Sequence, residues 1–425
     1  MRENFTVKFR SLEARAGGGA SLLAGAVLAA AMVVGGAGPA LAAQKPTISR
    51  KIAPELIAAQ KALQGGKWNV GLQNLQKAEA KSGLTAFDHK TIDDLKAYAY
   101  VKLGNMKGAE GAWEAALQTG ACSPQDTLRF TRAVFQLSYN AHEYAKAIDY
   151  GKKLIALGQG TPDIYAVIGQ GYYLTNDCRN ADSYMDKAIA ASRKAGRPPE
   201  EAYYQVKLRC AFDAKDTAAE VQDFTDLVRL TNKPEYWSDL LRIQRQSAGA
   251  DKNILMIYRL MYNTNTMKTA DDYIEMAQLL GDAALPEEAT AVVQKALGAG
   301  VVQPAQKDRV NRLLAEMQRR SAADQKGIAG YARDANKSPA GQLSVKLGEV
   351  YYGVGNYESA VQAIESGLKK GNVKNLGEAY VYLGLSYQQL HNPAAAKKAF
   401  AHLKTVTEMP KDIRALWQLY ADKLS

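Results

Sequence analysis

The four histidines are the side chains best suited to acid–base or metal chemistry, and none of them stands in a recognised catalytic spacing. They are His89, His142, His391 and His402. No two of them form a His-Glu-x-x-His helix, and none lies beside a cysteine at metal-ligand spacing. The chain also lacks a Gly-x-Ser-x-Gly nucleophile turn and a phosphate loop ending in Gly-Lys-Ser or Gly-Lys-Thr. We therefore predict no catalytic residue, no metal site and no cofactor.

The remaining polar clusters have structural explanations. Gly169-Gln170-Gly171 matches the start of a dinucleotide fingerprint, but the third glycine is missing and no strand is predicted before it. Three acidic pairs are predicted at helix starts, where carboxylates complement the helix dipole; they are Asp93-Asp94, Asp271-Asp272 and Glu287-Glu288. The sequence does not require any acidic or basic group to be buried with a shifted pKa. These patterns favour a protein that is not an enzyme.

Composition favours a folded protein that does not bind nucleic acid. The 425 residues are enough for two or three domains or one long repeat array, and 47% of them are apolar. The net charge is +11, of which the first 43 residues contribute +2, so that about +9 remains after them. Basic residues are interspersed with acidic ones rather than clustered. The mildly basic surface would favour acidic partners or anionic envelope polymers.

Residues 1–42 have the layout of a cleaved signal peptide. A polar, net positive stretch precedes an apolar run from Leu22 to Val34, and glycines with Pro39 then break any helix. Ala40-Leu41-Ala42 supplies an Ala-x-Ala cleavage site. A permanent membrane anchor is the alternative, although the run is shorter than the roughly 18 to 20 residues that span a bilayer. We predict secretion to the periplasm, with no transmembrane segment after cleavage.

Small and aromatic residues recur along the rest of the chain at intervals in the mid-thirties. The repeated order is Leu-Gly-x-x-Tyr, then alanine, then a large apolar residue. Two C-terminal copies fill every place: Leu347, Gly348, Tyr351, Ala360 and Ile364, followed by Leu383, Gly384, Tyr387, Ala396 and Phe400. This order resembles the tetratricopeptide repeat family over most of the chain after residue 42. The resemblance implies an all-α fold, a right-handed superhelical solenoid of antiparallel helix hairpins.

The repeat register predicts ten hairpins. The glycine place of the pattern is occupied in turn by Ala59, Ala97, Phe135, Gly169, Leu208, Leu241, Ala277, Leu314, Gly348 and Gly384. The hairpins at Leu241 and Leu314 are poor matches, because Asn253 and Lys326 occupy their alanine places. We predict an N-terminal array at 43–233, diverged helical units at 234–340 and a C-terminal array at 341–425. A bend in the diverged segment and one continuous superhelix both fit this pattern.

The resemblance further implies that first helices line a concave groove. The side chains expected there are mainly tyrosine, glutamine and arginine, which suit a peptide partner through ring contact, backbone hydrogen bonds and carboxylate pairing. The alternative is that many of these tyrosines pack between helices. The predicted groove residues are Tyr98, Arg132, Gln136, Tyr139, Gln170, Tyr173, Gln205, Arg209, Phe212, Tyr352 and Gln388.

The same register brings two of the three cysteines together. Cys178 falls in the turn of one repeat and Cys210 falls late in the first helix of the next, places that are close in a stacked solenoid. An oxidising periplasm permits a disulfide there, with Cys122 left as a thiol. Three buried, unreactive thiols are the alternative.

Together these features predict a periplasmic adaptor that binds a protein or peptide partner in an envelope assembly for transport, secretion or outer-membrane biogenesis. The stretch TADDYIEMAQLL at 269–280 resembles envelope tetratricopeptide proteins of proteobacteria. A cell-wall or polysaccharide-binding module is the alternative, and an enzyme is the third hypothesis. The identity of the partner and the oligomeric state stay open.

Overall fold

A computed structural model describes residues 47–425, and these residues form α-helices and short 3-10 helices without any β-strand. The all-α prediction is confirmed. The predicted signal peptide lies outside the described residues. This part of the chain contains no helix that is both long enough and apolar enough to span a membrane. Two compact units divide the chain: unit 1 extends to Asp216, and unit 2 is Thr217–Ser425.

Unit 1 consists of short helices that pack as antiparallel neighbours in chain order. They are α1 (Ala53–Gln64), α2 (Trp68–Glu79), α3 (Ala86–Lys102), α4 (Met106–Gln118), α5 (Pro124–Asn140), α6 (Tyr144–Ala156), α7 (Pro162–Leu174), α8 (Cys178–Lys194) and α9 (Glu201–Ala214).

Unit 2 continues with helices of similar length and one much longer helix, α15. They are α10 (Thr217–Thr231), α11 (Pro234–Ser247), α12 (Asp251–Asn263), α13 (Ala270–Asp282), α14 (Pro286–Gly298), α15 (Lys307–Lys337), α16 (Gln342–Gly353), α17 (Tyr357–Lys370), α18 (Leu376–Gln389), α19 (Pro393–Ala401) and α20 (Lys411–Lys423). Short 3-10 turns precede α15 and follow α19.

Glycine followed by asparagine forms the turn of two of the hairpins. Gly104 follows α3 with a φ of +73°, a left-handed conformation that ends the helix at little cost to a residue without a Cβ. The next residue, Asn105, caps α4 by accepting a hydrogen bond from the amide of Gly108 at 2.9 Å. Gly355 and Asn356 do the same between α16 and α17. One dipeptide therefore ends the first helix and starts the second.

Small residues let the helices of a hairpin approach closely, as the repeat pattern predicts. A Cβ added to Gly151 of α6 would lie 2.7 Å from Ile168 Cγ1 and 2.9 Å from Phe135 Cε2. Ala109 and Ala147 are fully or almost fully buried in the same apolar core. The close approach allows the large side chains of neighbouring hairpins to interlock, which supplies most of the stability of stacked repeats.

The prediction of a hairpin at Leu314 is wrong. Residues Lys307–Lys337 form one continuous helix of 31 residues, α15. The sequence between Ser321 and Lys326 holds no glycine, proline or asparagine that would end a helix, so the helical pattern runs through the place where a turn was expected. The two glycines further along, Gly327 and Gly330, also remain helical.

Unit 2 closes on itself, which the repeat pattern did not predict. The last helix, α20, packs against α10 and α12 near the start of the unit. The rings of Trp237 and Tyr420 lie 6.4 Å apart at 73°, and the ammonium of Lys423 donates to the carbonyl of Arg229. Helices α14 and α16 are also in contact. Helices of the first half of unit 2 therefore cover first helices of its second half.

Candidate binding sites in the two units

Most of the predicted groove residues of unit 1 remain partly exposed. They lie on the first helices of successive hairpins, and α7 and α9 are direct neighbours. The partly exposed side chains are Tyr98, Arg132, Gln136, Tyr173, Gln205, Arg209 and Phe212. Arg132 donates to Gln159 at 2.9 Å, and Arg209 lies 3.6 Å from Asp213. These side chains form a partly exposed polar and aromatic face on the first helices of unit 1.

Two predicted groove residues are instead buried. Tyr139 is 4% exposed and its ring packs edge-on against Tyr144 at 5.8 Å, inside its own hairpin turn. Gln170 is 2% exposed, on a helix, α7, that contacts α6, α8 and α9. Tyr98 packs on Trp68 at 5.8 Å, which matches the alternative that some of these tyrosines fill space between helices.

The prediction that Asp93-Asp94 lies at the start of a helix is wrong, because the pair lies in the middle of α3. Asp94 accepts from Arg129 at 2.7 Å, and Lys90 pairs with Asp126 at 2.6 Å, so two ion pairs join α3 to α5. Burial raises the pKa of Asp93 to about 6. Lys90, Asp94, Asp126 and Arg129 therefore pair with one another across the two helices.

Unit 1 also contains the disulfide between Cys178 and Cys210. The two Cα atoms are 5.4 Å apart, a normal separation for a disulfide, and 32 residues separate the cysteines in sequence. Cys122 is a thiol whose Sγ donates to the carbonyl of Ala116 at 3.2 Å. Burial raises the pKa of the Cys122 thiol, which keeps it protonated and unreactive.

A buried arginine on α12 forms hydrogen bonds with residues of two other helices of unit 2. The side chain of Arg259 is completely buried. Its Nε and Nη2 atoms donate to the two carboxylate oxygens of Glu288, each at 3.1 Å, and its Nη1 atom donates to Glu378 at 3.1 Å. The hydroxyl of Tyr382 donates to Glu288 at 2.5 Å. This network joins α12, α14 and α18 through charge-assisted bonds that are strong where water is excluded.

A second buried carboxyl lies beside this network. Glu349 on α16 is 2% exposed and pairs with Lys346 at 2.6 Å. Burial, together with the negative charge of Glu378, outweighs that pairing and raises the pKa of Glu349 to about 7. Glu349 is therefore a buried carboxyl group with a raised pKa that the sequence pattern did not indicate.

A polar cavity of about 350 Å³ opens beside the arginine network. Its walls come from the ends of α12, α16 and α18, from one face of α14 and from the start of α17. The side chains that matter for its chemistry are Tyr262, Asn263, Lys295, Tyr352, Tyr357 and Gln388. Glu288 also contributes to the lining, with its charge already matched by Arg259. We call this space the unit 2 cavity.

The cavity lining combines aromatic rings with polar groups. Lys295 Nζ donates to the carbonyl of Tyr262 at 3.2 Å and to Asn265 at 3.0 Å, and it lies 3.9 Å from the centre of the Tyr262 ring. Burial lowers the pKa of Lys295. The Tyr352 and Tyr357 rings lie 5.6 Å apart at 60°. The cavity is at the small end of the range for small-molecule sites in proteins.

Two of the predicted groove residues, Tyr352 and Gln388, line this cavity, whereas the other cavity residues were not predicted. The reason is that α12 and α14 come from hairpins far away in the repeat register. One sequence signal was available. Arg259 is the only charged residue in the run Ile254–Asn263, ILMIYRLMYN, and a lone charge in an apolar helix indicates a buried partner.

No group of three or more His, Cys, Asp or Glu side chains within residues 47–425 is arranged to hold a metal ion. No family model matches the chain. No curated protein matches it either.

Solved structures of helical repeat proteins are similar at low identity. A tetratricopeptide repeat protein from Parabacteroides merdae matches at 12% identity over 64% of this chain and 100% of that one, with a TM-score of 0.31. The C-terminal part of a tetratricopeptide repeat protein from Cytophaga hutchinsonii matches at 13% over 67% and 97%, with a TM-score of 0.25. The complex of Naa15 and Naa10 bound to HypK-THB matches at 14% over 87% and 62%, with a TM-score of 0.40.

Proposed function

We propose that this protein is a non-enzymatic scaffold that binds a protein partner in the bacterial cell envelope, through the first-helix face of unit 1. The observation that carries the proposal is that Gln136, Tyr173, Gln205 and Arg209 remain partly exposed on three successive first helices. Stacked hairpins offer extended surfaces of this kind. Rings, amides and guanidinium groups are also the side chains that dominate binding surfaces for peptides.

The periplasm is the proposed compartment. The signal-peptide pattern of residues 1–42 supports export, and a disulfide between Cys178 and Cys210 is the kind of bond that persists in an oxidising compartment. An envelope assembly for transport, secretion or outer-membrane biogenesis is the proposed setting.

The compartment is tested by fractionating cells that express the full chain and determining the N-terminus of the recovered protein. We expect soluble periplasmic protein whose first residue follows Ala42. Full-length protein retained in the membrane would instead support the anchor and contradict export as a mature scaffold.

The binding face is tested by placing a photoreactive residue at Tyr173, with the exposed Lys187 of the second helix α8 as the matched control. We expect one discrete protein to crosslink from position 173 and none from 187. That protein, purified, should bind wild-type chain at least about tenfold more tightly than the Tyr173→Ala variant, the loss expected for an aromatic anchor. Equal crosslinking from both positions, or equal affinity, would contradict the proposal.

A further inference from the structure

Two tyrosine hydroxyls of the unit 2 cavity are unpaired, whereas three buried tyrosines of the same unit have hydrogen-bonded hydroxyls. Tyr258 donates to Glu275 at 2.6 Å, Tyr382 to Glu288 at 2.5 Å and Tyr420 to Gln388 at 2.6 Å. The hydroxyls of Tyr262 and Tyr352, by contrast, make no hydrogen bond with any residue in 47–425. Both tyrosines are half-buried, so their hydroxyls leave hydrogen-bonding capacity on a wall of the cavity.

The amide side chains leave further capacity there. Gln388 accepts from Tyr420 through Oε1, which leaves its NH2 group as a donor. Asn263 donates through Nδ2 to the carbonyl of Arg259 at 2.7 Å, which leaves its Oδ1 atom as an acceptor. The lining thus offers hydroxyls, a donor and an acceptor beside flat aromatic surfaces. Such a mixture suits a ligand rich in hydroxyl groups, since each hydroxyl both donates and accepts.

The charge of the lining favours an acid. Both carboxylate oxygens of Glu288 already accept hydrogen bonds from Arg259, whereas Lys295 has no carboxylate within 4 Å among the described residues. Its two partners, the Tyr262 carbonyl and Asn265, are neutral, and an ammonium has three protons to donate. A cationic ligand is disfavoured, because Lys295 already occupies the face of the Tyr262 ring. An apolar ligand is disfavoured too, because it would strip water from the hydroxyls and amides without replacing its bonds.

We propose that the unit 2 cavity binds a hydroxyl-rich monocarboxylate of about the size of one sugar acid. Its carboxylate pairs with Lys295, its hydroxyls bond to the tyrosine hydroxyls and the amides, and its ring packs on Tyr352. This inference goes beyond the scaffold function and is independent of it, because it concerns unit 2 alone. The acid is either a free sugar acid or the end of an acidic polysaccharide, which present the same chemistry.

Isothermal titration calorimetry on the full chain tests the proposal with glucuronate and galacturonate as probes. Glucose keeps the hydroxyls without the charge, and acetate keeps the charge without the hydroxyls. We expect a uronate to bind at least about tenfold more tightly than either comparison compound, the gain typical of a charge-assisted hydrogen bond. A galacturonate trimer that binds more tightly than the monomer would assign the site to a polymer end, and equal binding would assign it to the free acid.

Two variants locate the binding. Lys295→Met should abolish the preference for uronate over glucose, whereas Lys187→Met, which removes a lysine lying 4.1 Å from the Tyr184 ring in unit 1, should change nothing. Tyr352→Phe removes a hydroxyl that has no partner in the described chain, so it should leave the fold intact and weaken both uronate and glucose several-fold. The proposal is overturned if no uronate binds at millimolar concentration, if acetate binds as tightly as uronate, or if both cavity variants bind uronate as the wild type does.

Discussion

Units 1 and 2 are built from the same kind of helix hairpin but use their first helices differently. In unit 1, Gln136, Tyr173 and Arg209 remain partly exposed on α5, α7 and α9. In unit 2, the corresponding places on α16 and α18 are Tyr352 and Gln388, and both line a cavity closed by α12 and α14. A repeat register therefore predicts which helix face forms a groove. It does not predict whether another part of the same chain fills that groove.

Two features of unit 2 allow α12 and α14 to pack against its later first helices, α16 and α18. Arg259 on α12 pairs with Glu378 on α18 at 3.1 Å, which holds the two helices together. Gly353 lets α14 approach α16, because any Cβ there would meet the backbone of Glu288 at 2.9 Å.

The largest expected effect comes from Arg259→Met. The substitution leaves Glu288 and Glu378 without their buried cation, and breaking a buried pair in this way typically costs about 3–5 kcal/mol. We expect a loss of that size in the free energy of unfolding of unit 2, measured by urea denaturation with hydrogen exchange read separately for peptides from 47–216 and 217–425.

The control for this prediction is Arg309→Met on α15, which removes an exposed arginine and should change the unfolding free energy by less than about 0.5 kcal/mol. If peptides of unit 1 lose protection as much as those of unit 2, the arginine network does not stabilise unit 2 in particular.

The reciprocal effect on unit 1 comes from replacing Cys178 and Cys210 together by alanine. Opening a loop of 32 residues returns conformational entropy to the unfolded chain worth about 3–4 kcal/mol. Hydrogen exchange should show the loss in unit 1 while the unit 2 peptides keep their protection. Cys122→Ala, which removes a thiol outside the disulfide, is the matched control, and an equal loss in that variant would rule out the disulfide as the cause.

A pH effect of similar or smaller size is expected in unit 2 from Glu349. Its pKa is about 7 in the folded chain and near 4.5 when exposed, so the folded state binds more protons between these values. The stability contributed by the protonated carboxyl is therefore present below pH 4.5 and is lost as the pH rises to about 7, up to about 3 kcal/mol in all.

The measurement is the unfolding midpoint of unit 2 between pH 4.5 and 8, in the wild type and in Glu349→Gln. The amide cannot ionise, so the variant should lose the part of the pH dependence that Glu349 causes and should be the more stable protein at pH 8. Identical pH profiles would show that Glu349 is not the group responsible.

The smallest expected effect is that of Gly353→Ala. The new Cβ would lie 2.5 Å from Glu287 Cβ, so α14 and α16 must separate, a strain that typically costs about 1–3 kcal/mol. Gly327→Ala on α15 is the control, because no atom lies within 4 Å of its Cβ position and alanine is the better helix former by about 1 kcal/mol. Thermal unfolding should move in opposite directions for the two variants, and a stabilising Gly353→Ala would show that the close approach is not needed.

The sequence predicted the candidate sites only in part. The repeat register correctly placed Tyr352 and Gln388 on first helices, but it assigned Tyr139 and Gln170 to an open groove although both are buried. Exposure depends on the neighbouring helices as well as on the register. The register also predicted a hairpin at Leu314, where the chain lacks a turn residue and continues as one helix.

The amino-acid sequence by itself determined the helices, their turns and most of their pairing. Gly104 with Asn105, and Gly355 with Asn356, end one helix and cap the next through contacts within a few residues, so their effect can be read locally. The covering of the first helices of unit 2 by its own earlier helices depends instead on contacts between distant parts of the chain. That outcome rests on Arg259 meeting Glu378, 119 residues later, and no local pattern records a contact between residues so far apart in the chain.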